Sequence, residues 1–370
     1  MSHSVSRIHV EGLCSLENIT LEPGRLTVLI GPNGSGKSNL LRALRLVPLM
    51  RTGSLQRVVA ESGSASSLLH YGPKRTQAIS IEVDFQQEGK RNGYVARLGY
   101  AAGDRLLFLD ESVSYQSTET ASPISESLGA GHWESLLQEN KNNSPTTKAL
   151  NWWLSQLTFF HFHDTSMNSS LRTNARAEDD RFLRSDGSNL ATFLARIQQS
   201  EEKPDVAAWR RISQFVRRIA PGVKELRPSA VSENGRGYRL DWVDDHDEVF
   251  GVHQLSDGTL RAIALVTALA QPTECLPRFI SIDEPELGLH PAAITLLAEL
   301  ARSVSRHCQV LFATQSTAFL DHFDPKEVVV VERKEGASVF RRPDPETLKA
   351  WLEDYSLSEV FDKGVMGGRP

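Results

Sequence analysis

The residues Gly31-Pro32-Asn33-Gly34-Ser35-Gly36-Lys37-Ser38 satisfy the pattern G-x-x-x-x-G-K-[ST] at every position. Glycines at those places let backbone N–H groups close around phosphate oxygens with no Cβ in the way. Lys37 then reaches the β- and γ-phosphates of a nucleoside triphosphate, and the Ser38 hydroxyl becomes a ligand for Mg²⁺. A second group suits the same chemistry: Asp283 and Glu284 close the apolar run Phe279-Ile280-Ser281-Ile282. Asp283 can hold Mg²⁺ through water, and Glu284 can polarise the water that attacks the γ-phosphate. An acidic pair at a strand end says little alone; it gains meaning from the phosphate loop upstream.

Particular elements must hold these residues. Leu26-Thr27-Val28-Leu29-Ile30 reads as a buried strand entering the loop, and Asn39-Leu40-Leu41-Arg42-Ala43-Leu44 as the helix leaving it. The positive N-terminal end of that helix adds to the phosphate site. Residues 279–284 form a second strand. Just before it, Leu255-Ser256-Asp257-Gly258-Thr259 opens a helix over 260–270 with Ser256 at the cap.

At 370 residues the chain can make one large domain or two to three ordinary ones. Its 41 basic and 46 acidic residues leave a net charge of −5, which argues against a uniformly basic surface but leaves room for a local basic patch. The longest apolar run, near 260–270, is too short to span a membrane and contains an arginine. The first thirty residues lack the charged, apolar and cleavage regions of a secretory signal. Cys14, Cys275 and Cys308 have no metal-ligand spacing and read as buried thiols in a reducing compartment. A cytoplasmic protein is expected.

Along the chain, 7–13 and 16–21 predict two short strands before the phosphate loop, and the glycines and serines of 53–67 predict a mobile loop. Ile79, Ile81, Val83 and Phe85 alternate with polar residues, and 88–93 separates them from a partner strand at 94–98, with an extension over 105–109. Residues 112–147 are polar and loosely ordered around a short helix at 133–138. His161, His163 and Asp164 follow an aromatic strand. They read either as a metal site or as groups that satisfy their neighbours. A helix starts at Asp186-Gly187-Ser188-Asn189 and runs to about Gln199. Farther on, Ile212, Phe215, Val216 and Ile219 share one helical face, and Arg210, Arg211, Arg217 and Arg218 the opposite one. That cationic stripe reads either as a solvated surface or as a nucleic-acid contact.

The string 255–259 resembles the L-S-G-G-Q signature of ABC-type ATPases, with Asp257 replacing one glycine and Thr259 replacing Gln, as in the RecF-like and OLD-like branch. Pro285-Glu286-Leu287-Gly288-Leu289-His290-Pro291 falls where that family has its D-loop, and Leu311-Phe312-Ala313-Thr314-Gln315-Ser316 where it has its switch strand. The resemblance covers 7–45 and 238–342, and 355–359 and 364–370 look like the closing stretch of bacterial predicted ATPases of this size.

The resemblance implies an α/β P-loop NTPase with an ABC-ATPase-type head. A mixed central sheet flanked by helices would carry an antiparallel β subdomain and an inserted helical lobe. The implied division is an N-terminal ATPase lobe at 1–110, an inserted, partly flexible helical region at 111–235 and a C-terminal ATPase lobe at 236–370. ATP and Mg²⁺ are the implied ligands, with Gly31 to Asn39, Ser256, Asp257 and Gly258 on the nucleotide, and Ser38 and Asp283 on the metal. Lys37, Glu284 and Gln315 carry catalysis. Gln315 stands where the family has histidine; it can donate to a γ-phosphate oxygen but carries no titrating charge, so slow hydrolysis is implied. The Q-loop is left open between Gln86, Gln87 and the segment around His163.

In the family, the signature of one subunit covers the γ-phosphate held by another, so a homodimer around ATP is expected. Its work would be on DNA or with a separate effector or nuclease chain, in DNA repair or anti-phage defence. A membrane-transporter subunit is the alternative; the more than 200 residues between Ser38 and Leu255 argue against it. An OLD-type nuclease needs a metal-dependent TOPRIM domain, and 54 residues after Ser316 are too few for one.

Overall fold

The computed structural model describes residues 3–117, 122–137, 144–231 and 237–368. Expectations that touch 118–121, 138–143 and 369–370 lie outside the described residues. From the N-terminus, β1 (His3–Leu13), β2 (Leu16–Leu21) and β3 (Leu26–Ile30) lead into α1 (Lys37–Arg51), α2 (Leu55–Glu61) and α3 (Ala65–Leu68). Then come β4 (Ala78–Gln87), β5 (Lys90–Ala101), β6 (Arg105–Gln116), β7 (Ile124–Gly129), α4 (Pro145–Ser155) and β8 (Leu157–Phe160). The middle of the chain supplies β9 (Ala175–Arg176), α5 (Leu190–Gln199), α6 (Lys203–Ile219), β10 (Glu225–Ala230), β11 (Gly237–Val243) and β12 (Val249–Gly251). It continues with α7 (Asp257–Ala270), β13 (Phe279–Asp283), α8 (Pro291–Val304) and β14 (Gln309–Thr314). The last elements are α9 (Thr317–Leu320), β15 (Val328–Lys334), β16 (Ala337–Arg341), α10 (Pro345–Trp351) and α11 (Leu357–Asp362).

Two compact units divide the chain: Met1–Thr158, Arg278–Ser281 and Leu311–Pro370 form the first, and Phe159–Pro277 and Ile282–Val310 the second. The first unit is built on two sheets. One is antiparallel in the order β2-β1-β4-β5-β6-β7, and the other runs β16-β15-β3-β14-β13-β8. Every residue of β3 is buried, as a continuous apolar run requires of a strand covered on both faces, and β15 pairs with it in parallel. In β4 the alternation holds, with Ile79, Ile81, Val83 and Phe85 fully buried. The turn after it is tighter than expected. Glu88 and Gly89 both have positive φ, the geometry of a two-residue hairpin, so 90–93 belongs to β5.

Residues 53–67 form α2 and α3 rather than a mobile loop. Leu55, Val59, Ala65 and Leu68 are buried. The helix starts are held by carboxylates distant in sequence. Glu134 accepts from the Leu55 and Gln56 N–H groups at 2.7 and 2.9 Å, and Asp104 accepts from the Ser66 N–H and from the Ser64 and Ser66 hydroxyls. Those hydroxyls and that N–H keep the Asp104 carboxyl below its usual range. The helix expected at 133–138 is replaced over 133–137 by turns, because the same region is committed elsewhere. Ser135 Oγ and the Leu136 N–H donate to the fully buried carboxylate of Glu111.

The second unit holds α5 to α8 and an antiparallel sheet in the order β10-β11-β12, with β9 also on β11. Asn189 ends the loop before α5 as expected, its side chain bonded to the Asp179 and Phe182 carbonyls and the Arg184 N–H. Along α6 the buried face is Ala208, Ile212 and Val216, while Arg210, Arg217 and Arg218 are exposed. Arg211 is not part of that stripe. Its guanidinium donates to the Ala270 and Gln271 carbonyls at the end of α7, and burial there lowers its pKa. Residues 260–270 of α7 are buried on every side, between α6 and α8 among other neighbours.

Candidate functional site

In the first unit, β3 ends at Ile30, the loop runs from Gly31 to Gly36, and Lys37, Ser38 and Asn39 form the first turn of α1. The Lys37 ammonium is buried and turned back on the loop, donating to the Gly31 carbonyl at 2.6 Å, the Pro32 carbonyl at 3.0 Å and Ser35 Oγ at 3.4 Å. An ammonium held over a ring of loop oxygens can exchange them for phosphate oxygens. Ser38 is exposed at the start of the helix, and Gln315 is exposed just past β14.

A run of hydroxyls fixes the loop from behind. Ser338 Oγ, on β16, donates to the Ser35 carbonyl at 2.7 Å. With its one proton so used, it accepts from Ser15 Oγ at 2.6 Å, and Ser15 Oγ accepts from Asn39 Nδ2 at 2.8 Å. The backbone joins in, with the Ser338 N–H donating to the Ser15 carbonyl. A Cβ on Gly36 would lie 1.9 Å from Ser338 Oγ, and one on Gly31 would lie 2.0 Å from the Val331 carbonyl oxygen. Both glycines are thus required by close approach. Neither Ser15 nor Ser338 lies in a motif, and no local signal in the sequence marks them.

In the second unit, Ser256 caps α7 by accepting from the Thr259 N–H, and its own hydroxyl donates to Thr259 Oγ1. Asp257, the departure from the family's glycine, is paired with Arg172 at 2.9 Å. The Arg172 guanidinium is buried and also donates to the Val252 and Leu255 carbonyls, so it fixes the approach to the helix and offsets the carboxylate at its positive end. A Cβ on Gly258 would lie 2.3 Å from the Gly288 carbonyl oxygen. The start of α7 therefore sits directly against the segment after the acidic pair.

Asp283 ends β13, and Glu284 follows with φ +42°, a left-handed conformation uncommon for a residue with a Cβ. Arg261 of α7 is buried, and desolvation lowers its pKa against the charges of Glu284, Glu286 and Asp283, which favour its ionised form. Hard oxygen donors such as Ser38 and Asp283 are the ligand chemistry that Mg²⁺ takes.

His161, His163 and Asp164 do not gather into a ligand set. Among the described residues no group of three His, Cys, Asp or Glu side chains is placed to hold a metal ion. β8 ends at Phe160, so the three lie in a loop where their partners differ: Asp164 accepts from the Ser166 N–H, and His163 Nδ1 accepts from Arg261. The His163 pKa is held below its ordinary value, first by desolvation of the partly covered ring and then by the Arg261 charge. Gln86 and Gln87 lie at the end of β4, next to the hairpin turn.

Residues 26–321 match the family described as "AAA domain, putative AbiEii toxin, Type IV TA system". The chain belongs to this AAA-domain family. The AAA-domain chain is 33% identical over 126 residues to the DNA replication and repair protein RecF of Azotobacter vinelandii, covering 34% of this chain and 31% of RecF. It is 24% identical over 392 aligned positions to the OLD nuclease of Thermus scotoductus, covering 97% of this chain and 68% of the nuclease. The chain thus spans about a third of the RecF relatives it matches. In fold it is similar to the Smc head domain of Pyrococcus furiosus, crystallised with an extended coiled coil and the C-terminal domain of ScpA (TM-score 0.63, 15% identity, 95% of this chain and 99% of that one). The corresponding domain of Pyrococcus yayanosii gives a TM-score of 0.57 at 13% identity, covering 95% and 99%. This AAA-domain chain is similar in sequence to RecF and to the OLD nuclease, and it shares the mixed α/β fold of those Smc heads. Among its described residues no helix is long and apolar enough to cross a membrane.

Proposed function

We propose that the chain binds ATP with Mg²⁺, hydrolyses it slowly, and closes with a second copy around the nucleotide so that closure acts on DNA or on a separate effector chain. The observation that carries the reading is the phosphate loop itself: a buried Lys37 over loop oxygens, two glycines that admit no Cβ, and a helix N-terminus at Ser38. The backbone N–H groups and Lys37 hold the phosphates. Ser38 and Asp283 supply oxygens to Mg²⁺, which when bound offsets the charge that builds on the β- and γ-phosphates. Glu284 accepts a hydrogen bond from the attacking water and so orients it. Gln315 donates to a γ-phosphate oxygen. Ser256 and the N-terminus of α7 from one copy face the phosphates held by the other.

RecF is named for DNA replication and repair, and the OLD protein is named a nuclease. Both names support a nucleic-acid setting, and a cytoplasmic role in DNA repair or anti-phage defence follows as part of this proposal. Titration with a fluorescent ATP analogue and phosphate release test the enzymatic part. Lys37→Ala is expected to lower nucleotide affinity at least about a hundredfold, and Glu284→Gln to keep affinity while losing turnover. Unchanged affinity in the first, or wild-type turnover in the second, contradicts the assignment.

A further inference from the structure

Two buried arginines of the second unit, Arg172 and Arg261, are 4% and 5% exposed and belong to no motif. Both are tied to one short stretch, 163–172, that follows β8. Arg172 Nε donates to the Thr165 carbonyl while its Nη atoms hold the entry to α7. Arg261, a residue of α7 itself, does corresponding work. Its Nη1 donates to the Leu287 carbonyl at 3.2 Å, and its Nη2 to the Glu284 carbonyl at 3.3 Å and to His163 Nδ1 at 2.9 Å. The main chain and carboxylate of Asp283 in turn favour the protonated imidazole.

The turn so held is a strained one. A left-handed φ at a glutamate persists only where its surroundings over-determine it. Here the Glu284 carbonyl accepts from both the Leu287 N–H and Arg261, and the next contact of the same guanidinium is the Leu287 carbonyl, so one side chain bridges the two ends of the turn. A planar fork with fixed donor directions suits that task, and an ammonium does not. Because Arg261 donates to Nδ1, that nitrogen is the acceptor of the ring, which fixes the tautomer and the plane of His163.

We propose that Arg261 and His163 are positioning residues for hydrolysis: they set the backbone at Asp283 and Glu284 that aims the catalytic carboxylate, and they make its aim follow the seating of the signature helix. This rests on the reading of Glu284 as the residue that orients the attacking water. Arg261 is on α7 only five residues after Ser256, and Gly258 touches Gly288 in the same turn region. A partner that shifts the N-terminus of α7 therefore shifts the carbonyls of Glu284 and Leu287 through two direct contacts.

The test measures ATP affinity and kcat of the full chain for His163→Ala, His163→Asn and Arg261→Lys, each alone and with Glu284→Gln. His163 lies at the surface, so its variants remain informative should Arg261→Lys fail to fold. Expected are unchanged ATP affinity, a kcat about tenfold to a hundredfold lower for His163→Ala and Arg261→Lys, and partial recovery in His163→Asn, which keeps an acceptor near Nδ1. With Glu284→Gln already present, the His163 and Arg261 changes should have no further effect on the residual rate. A kcat equal to wild type, or an equal fold loss in the presence and absence of Glu284, overturns the proposal alone. A Glu284→Gln protein with wild-type turnover overturns the underlying reading and this proposal with it.

Discussion

The phosphate-loop region and the signature region solve one problem, holding a polar site rigid, by different means. Around Gly31 to Asn39 the support is a chain of hydroxyls and main-chain groups, Asn39 to Ser15 to Ser338 to the Ser35 carbonyl, with Lys37 the charged member on the loop. Around the start of α7 and Glu284 the support is charged and buried: Arg172 joins the Thr165 carbonyl to those of Val252 and Leu255, and Arg261 joins His163 to the Glu284 and Leu287 carbonyls. A neutral hydroxyl relay has little to lose by staying assembled when charge arrives. Buried arginines that bridge separate segments hold a geometry that depends on all of those segments at once, which suits the half of the site that faces a second copy in the proposed dimer.

Substitutions can sharpen that contrast. The largest effects are expected at the two glycines whose Cβ would meet backbone. Gly31→Ala meets the Val331 carbonyl at 2.0 Å and Gly258→Ala meets the Gly288 carbonyl at 2.3 Å, and neither obstacle is a flexible side chain. Each is expected to cost about 1–3 kcal/mol of stability in chemical denaturation. Gly31→Ala should also lose nucleotide binding, whereas Gly258→Ala should keep binding and lose turnover. The same loss of binding in both would erase the proposed division of labour.

A smaller effect is expected at Ser338→Ala. It leaves the Ser35 carbonyl and the Ser15 hydroxyl each short of a partner, at a cost of about 1 kcal/mol. A matching loss of about fivefold in ATP affinity, with kcat unchanged, is the expected readout by titration and phosphate release. A change in kcat with affinity intact would mean that the hydroxyl relay serves the chemical step.

The two regions also differ in how much of them the sequence discloses. The phosphate loop is contiguous, and its strand, loop and helix each carry a local pattern, so Gly31 to Ser38, β3 and α1 are read directly. The acidic pair and the Ser256 helix are nearly as plain, since an apolar strand and a capped helix mark them. What holds them is not plain. Arg172 meets Leu255 and Asp257 across more than eighty residues, and Arg261 meets His163 across 98, so no local periodicity or spacing reports either contact. The same reason accounts for 53–67, where glycine and serine suggest a loop but Glu134 and Asp104, from other elements, supply the caps that make helices. Arg211 reads as one arginine of a surface stripe because a helical wheel shows which way it points, not that the end of α7 stands there with carbonyls to receive it.

The central claim is that two copies of the chain complete one site, the phosphate loop of one facing the Ser256 helix of the other. Light scattering on the Glu284→Gln protein, with and without saturating Mg-ATP, tests it most directly. The account predicts the mass of one chain without nucleotide and of two chains with it, the dimer lost again on adding Ser256→Arg. A single-chain mass at saturating ATP, in a protein shown by titration to bind the nucleotide, contradicts it.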